Sequence, residues 1–182
     1  MKRWAVVDTN VVVSGVLTAR SWSPPQKIVD AMLSGALRFL VSEELVFEYR
    51  RALLYPHVAT RHGLSETEVD SFLKDMLLNA AIREAPAPAV ATQPGTEESQ
   101  PGPPGDEHIV ALLKAQPGAM LITGDHRLAE AVSEWCQVLS PAECAATLLD
   151  QKARGAVRPV DPRVLTARVE TSDAGYSRGI DL

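Results

Sequence analysis

A chain of 182 residues, 46% of them hydrophobic, is the size of one globular domain and carries enough apolar surface for a real core. It has no stretch near the ~18 consecutive apolar residues of a membrane-crossing helix, and Asp8 ends the hydrophobic start before it could act as a signal peptide, so a cytoplasmic protein with no membrane partner is expected. Cys136 and Cys144 are too few for a disulfide framework and lack the spacing of a zinc site, and the net charge of −5 disfavours broad, non-specific nucleic-acid binding while leaving room for a carboxylate cluster that binds metal.

The opening Trp-Ala-Val-Val at 4–7 is a continuous apolar run ended by Asp8-Thr9-Asn10, as in a strand buried on both faces of a parallel sheet. A helix is predicted over 24–33, with proline in its first turn and Gly35 as its stop, and a strand over 37–41. Ser42 reads as the N-cap of a helix to about Leu54, with Glu43 and Glu44 in its first turn, Leu45, Tyr49, Ala52 and Leu53 as its inward stripe, and Tyr55-Pro56 as its end. Ser65 and Glu68 form a capping box for a helix facing inward through Val69, Phe72, Leu73, Met76 and Leu77, and 80–83 reads as a short strand.

Residues 85–105 are rich in Pro, Gly, Thr and Gln, a composition that cannot pack a core, and are expected to form an exposed loop inside one domain spanning 1–153. Asp106 opens a helix to about Lys114. A strand follows over 119–123, a turn at Gly124-Asp125, a helix over 127–135, a strand over 137–139 and a final helix over 141–151. The tail 154–182 has no apolar stripe and is expected to be disordered or to bind a partner. The β-α-β rhythm implies an α/β fold with a central parallel sheet.

In such a sheet, ligands sit in the crevice beyond the carboxyl ends of the strands. Two apolar strands run directly into acids there, Asp8 and Asp125; Glu48 lies about one and a half turns into the helix leaving the second strand, and Asp106 starts another helix. Four carboxylates in one crevice would repel one another unless a cation offset them, and hard oxygen donors without Cys or His select Mg²⁺ or Mn²⁺. Such a site suits phosphodiester hydrolysis.

The segments Val-Val-Asp-Thr-Asn-Val-Val-Val-Ser-Gly at 6–15, Leu-Val-Phe-Glu-Tyr-Arg-Arg-Ala-Leu around Glu48, Gly-Asp-Glu-His-Ile-Val-Ala-Leu around Asp106 and Leu-Ile-Thr-Gly-Asp-His-Arg-Leu at 121–128 resemble the four motifs of the PIN-domain family. The resemblance covers roughly residues 3–150 and is closest to bacterial VapC-like PIN proteins described as toxin components of toxin-antitoxin pairs. It implies a three-layer, Rossmann-like α/β/α fold, metal-dependent cleavage of RNA, a homodimer and, for a toxin, inhibition by a small antitoxin protein. By motif position it implies that Asp8, Glu48, Asp106 and Asp125 are the catalytic Mg²⁺ or Mn²⁺ ligands and that Asn10 and Thr123 support them through hydrogen bonds. Where many relatives carry a further acid before the third position, this chain has Pro103-Pro104-Gly105.

Each of these residues also has a plainer reading. Asp8 could form an Asx turn, Glu48 could be a solvated helix residue near Arg51, and Asp106 and Asp125 suit helix starts on stability grounds alone. Arg50, Arg51 and Arg127 are near enough to the acids to bind RNA phosphate, or are solvated helix charges. His108 and His126 are expected to be exposed or to touch phosphate, since imidazole suits Mg²⁺ poorly. Trp4, Trp135, Phe39, Phe47 and Phe72 are expected in the core, leaving Trp22 as the aromatic to watch for base stacking. Besides a ribonuclease, two other functions fit less well: a catalytically weak module of this fold that binds RNA or a protein, favoured by the missing acid, and a small-molecule phosphatase, disfavoured by the lack of Asp-x-Asp after the first strand.

Overall fold

The computed structural model describes residues 3–18, 23–84 and 105–154. Trp22, the proline-rich loop apart from Gly105, and the tail beyond Arg154 lie outside the described residues. In chain order the elements are β1 (Ala5–Val7), α1 (Thr9–Leu17), α2 (Pro24–Leu33), β2 (Phe39–Val41), α3 (Glu43–Leu53), α4 (Pro56–His62), α5 (Glu66–Leu77), β3 (Ala80–Ile82), α6 (Glu107–Ala115), β4 (Met120–Ile122), α7 (His126–Val132), β5 (Gln137–Leu139) and α8 (Pro141–Arg154).

The five strands are all parallel, in the order β3-β2-β1-β4-β5, and the helices complete a three-layer α/β/α arrangement. The three central strands are short runs of Ala, Val, Phe, Leu, Met and Ile, buried at every position. A strand covered by helices on both faces has no solvent side, so alternation is absent and the continuous apolar runs read correctly. Register sets Val7 against Ile122 and Val6 against Leu40. β1 has its sequence neighbour β2 on one side and β4 on the other, so the connections diverge on either side of β1 and the crevice opens between β1 and β4.

The core is one continuous cluster on both faces of the sheet. α3 buries Leu45, Tyr49 and Leu53, and α5 buries Val69, Leu73 and Met76, the stripes that their helical spacing predicts. The capping box at Ser65 and Glu68 is formed in both directions.

Two helices escaped the sequence reading. α1 contains Val11-Val12-Val13, a β-branched run with reduced helix propensity. Its helix is imposed by Asp8, whose carboxylate caps it through the amide of Asn10, and by close packing on α2. α4 begins at Pro56, which the sequence reading took only as the end of the preceding helix; proline fits the first turn of a new helix equally well. Two aromatics expected in the core are on the surface: Phe47 is 64% exposed and Trp135 is 47% exposed, with the Lys114 ammonium 6.0 Å from the Trp135 ring. Phe39 is fully buried, and Trp4 and Phe72 pack against the core from partly buried positions.

The α1–α2 contact is close because Gly15 has no side chain. A Cβ placed there would lie 2.5 Å from Val29 Cγ2 and 2.8 Å from the Pro25 carbonyl oxygen, and the latter is backbone that cannot swing aside. Gly15→Ala should therefore destabilise the fold by about 1–3 kcal/mol through overpacking. Urea denaturation will show this as a lower midpoint, and an unchanged midpoint would mean that the two helices part without penalty.

Candidate functional site

Each of the four acids stands where a strand ends or a helix starts on the carboxyl edge of the sheet, or within the helix that leaves it. Asp8 follows β1 directly and its amide donates to the Ile122 carbonyl of β4 at 3.0 Å, so the residue is stitched across the gap between the two strands. It is 2% exposed. Its Oδ1 accepts from the Asn10 amide at 3.1 Å and its Oδ2 accepts from the Thr123 hydroxyl at 2.6 Å. Thr123 Oγ1 in turn accepts from the Asp125 amide at 2.9 Å, linking the two acids through one buried hydroxyl. Asp125 Oδ1 caps α7, accepting from the amides of Arg127 at 2.7 Å and Leu128 at 3.3 Å.

Thr123 therefore hydrogen-bonds to both Asp8 and Asp125. Asn10 supports Asp8 through its backbone N–H, while the residue itself is exposed. The plain and functional readings of Asp8 and Asp125 prove compatible, because capping uses one carboxylate oxygen of each.

Asp106 is the N-cap residue of α6, yet its side chain makes no capping hydrogen bond. The preceding Gly105 has φ +101°, a conformation that favours glycine, and its amide donates to Glu107 Oε2 at 2.9 Å. Burial pushes the Asp106 carboxyl up from 3.8 to about 6, and the charges of Asp8, Asp125 and Glu48 push the same way against a smaller opposing pull from His108. Asp8 is likewise raised, by burial first and then by the charges of Glu48 and Asp125, against the hydrogen bonds from Thr123 and Asn10. The electrostatic coupling of Asp8, Glu48, Asp106 and Asp125 shows that the fold brings all four into one neighbourhood. Among the described residues, however, no three His, Cys, Asp or Glu side chains are already gathered into a coordination shell.

Glu48 has a partner of its own. Its Oε2 lies 2.6 Å from His108 Nε2, where α6 packs against α3. The contact is close but poorly directed as a hydrogen bond, and neither atom has another hydrogen-bond partner, so we regard it as a charge contact. Burial works to raise the Glu48 carboxyl, but His108 chiefly, then Thr9 and Arg51, hold it below the usual glutamate range. The Thr9 hydroxyl makes no well-directed hydrogen bond of its own, yet lies close enough to contribute. The Glu48 contact raises the His108 imidazole above its ordinary value, against burial. Of the two readings of His108, exposed or touching phosphate, this corrects the first: it is half-buried and paired with one of the four acids. Nothing in the local sequence signals it, because the pairing depends on how two distant helices pack. His126 is exposed as expected.

Tyr49 is a second residue that sequence reasoning placed only in the core. Fully buried, it donates its hydroxyl to the Val7 carbonyl and so ties α3 to the end of β1, one residue before Asp8. Burial, then the Asp8 and Glu48 charges, raise its phenol well above the ordinary range, which keeps it a donor.

The three arginines separate. Arg50 Nε lies 2.6 Å from Asp70 Oδ1 and its Nη2 contacts Glu66, so α5 occupies its guanidinium. Two residues along a helix turn the side chain by ~200°, so Arg50 leaves α3 from the side opposite Glu48, and its expected role at RNA phosphate is withdrawn. Arg51 lies close enough to Glu48 to lower its pKa, and Arg127 is exposed beside Asp125.

The donor set fits a hard divalent cation. Burial and the neighbouring carboxylates raise the Asp8 and Asp106 carboxyls, and a cation there would offset both effects. Residues 4–127 match the family model described as PIN domain. No curated protein and no solved structure matches the chain.

The raised Asp106 carboxyl has a consequence for stability. A group whose folded pKa exceeds its unfolded value stabilises the fold below the unfolded pKa and loses that contribution as pH rises through the folded one. For Asp106 that window runs from 3.8 to about 6. Metal-free protein should lose stability across it, and Asp106→Asn should remove part of that loss. Denaturation midpoints measured every half unit of pH will decide; parallel curves for the two proteins would mean that Asp106 is not under strain.

Proposed function

From the premise that the chain belongs to the PIN-domain family, we propose that it is a Mg²⁺- or Mn²⁺-dependent endoribonuclease whose ligands are Asp8, Glu48, Asp106 and Asp125. PIN domains are generally nuclease-like and generally use divalent metals. The observation that carries the finer reading is the electrostatic coupling of these four carboxylates at the β1–β4 crevice, with Asp106 raised to about 6.

The chain's own residues have separable tasks in this reading. Asp8 and Asp125 are pre-positioned by Thr123, and both spend an oxygen on capping, so their backbone anchors are rigid before anything binds. Asp106, with no capping bond, has its whole carboxylate to offer. Glu48 joins when it leaves His108, which then stands beside the site as an imidazole able to donate to a phosphate oxygen. A bound cation supplies positive charge to the scissile phosphate and eases loss of a proton from an attacking water. Arg127, exposed beside Asp125, would hold a flanking RNA phosphate. The toxin role, with a small antitoxin as partner, and a homodimer rest on the motif resemblance alone.

One observation favours the rival reading of a binding module without strong catalysis: Glu48 is engaged by His108. Titration of Mn²⁺ and Mg²⁺ into the native protein and Asp8→Asn, with cleavage of a mixed RNA pool followed in parallel, separates the two. Burial already favours the neutral form of Asp8, so an amide there should fold. The nuclease reading expects saturable metal binding, and loss of cleavage in Asp8→Asn beyond the ~10- to 100-fold that removing a supporting group costs. If the native protein takes up neither metal, the binding module is the better description.

A further inference from the structure

A lone exposed apolar side chain is ordinary on a protein surface. Phe47 is different because it lines an open cleft of about 420 Å³ together with Glu43, Glu44, Glu48, Arg51 and His108. Glu44, Phe47, Glu48 and Arg51 stand at i, i+3, i+4 and i+7 of α3 and so form one face of that helix. Glu48 and His108 pair with each other in this lining, and the Glu48 charge also acts on Asp8 and Asp106, so the cleft lies beside the acids.

The chemistry of the lining selects what enters. Glu43 and Glu44 form no ion pair among the described residues and would repel a phosphate, so the backbone of a nucleic acid is excluded from this part of the surface while a neutral base is not. A single-stranded base offers a flat face to stack on an aromatic ring and a Watson–Crick edge to be read by hydrogen bonds. Guanine is the base whose edge carries adjacent donors, N1–H and N2–H₂, which one carboxylate can accept together, beside an O6 acceptor that suits an arginine. Adenine and cytosine place a ring-nitrogen acceptor beside their amino group, and uracil places its N–H between two carbonyls, so each would set an acceptor against a carboxylate oxygen.

We infer that this cleft is a guanine-reading subsite for single-stranded RNA: Phe47 stacks the base, Glu43 or Glu44 accepts from N1–H and N2–H₂, and Arg51 donates to O6. It deepens the nuclease reading and rests on RNA being the substrate. With Glu48 in its lining, a base seated here brings its adjoining phosphate toward the acids.

Metal-free full-length protein titrated with guanosine, inosine and adenosine, followed by ligand-observed NMR, tests the subsite without engaging the acids. Guanosine should bind best, with inosine, which lacks the N2 amino group, and adenosine weaker by about fivefold or more. Phe47→Ala should weaken guanosine about tenfold and Phe47→Trp should keep it; the Glu43→Gln/Glu44→Gln double variant should bind guanosine and adenosine alike. Equal binding of guanosine and adenosine by the native protein, no guanosine binding, or an unchanged affinity in Phe47→Ala overturns the inference. Guanosine binding in a protein that cleaves no RNA would sink the nuclease reading alone, and RNA cleavage by a protein blind to guanosine would sink the subsite alone.

Discussion

Asp8 is buried between two parallel strands and held from both, by the amide of Asn10 on its own chain direction and by the Thr123 hydroxyl at the end of β4. A carboxylate so placed is costly to keep ionised, and two accepted hydrogen bonds do not return it to its ordinary value. Glu48 and Asp125 make the cost larger, because a like charge nearby disfavours the ionised form. A fold that tolerates this arrangement must gain its stability elsewhere, and it does so in the central strands and the helix stripes that close over them.

Helix starts resolve part of the conflict between stability and function. A helix N-terminus presents unpaired N–H groups and a partial positive charge, so an acid there stabilises the fold while standing at the crevice. Asp8 and Asp125 each give one oxygen to this task. Asp106 has the position without the capping bond, and it is the acid whose carboxyl is displaced to about 6. The contrast between a capped and an uncapped acid separates residues that are held in place from one that has room to move.

α3 joins the rest of the molecule to the site. Its inner face buries Leu45, Tyr49 and Leu53, and the Tyr49 hydroxyl anchors it to the end of β1. Its second face meets α5 through Arg50 with Glu66 and Asp70. The face carrying Glu44, Phe47, Glu48 and Arg51 is left for the cleft. One eleven-residue helix therefore serves packing, an exposed ion-pair network and the candidate site on different sides, as 3.6 residues per turn allow.

The parallel sheet, the inward stripes and the places of Asp8 and Asp125 after β1 and β4 could be read from the sequence because each depends on local pattern: uninterrupted apolar runs, helical spacing, and acids at strand ends. Helix α1 could not, since its valine run disfavours a helix until Asp8 caps it and α2 packs on it. Nor could the fates of Arg50, His108 and Phe47. Sequence spacing placed each near the acids or in the core, but which way a side chain leaves its helix, and what faces it there, was decided only when α5 and α6 packed against α3. Local pattern determines which residues lie at the sheet edge; the angles between packed helices, to which no single segment contributes alone, decide which of their side chains meet.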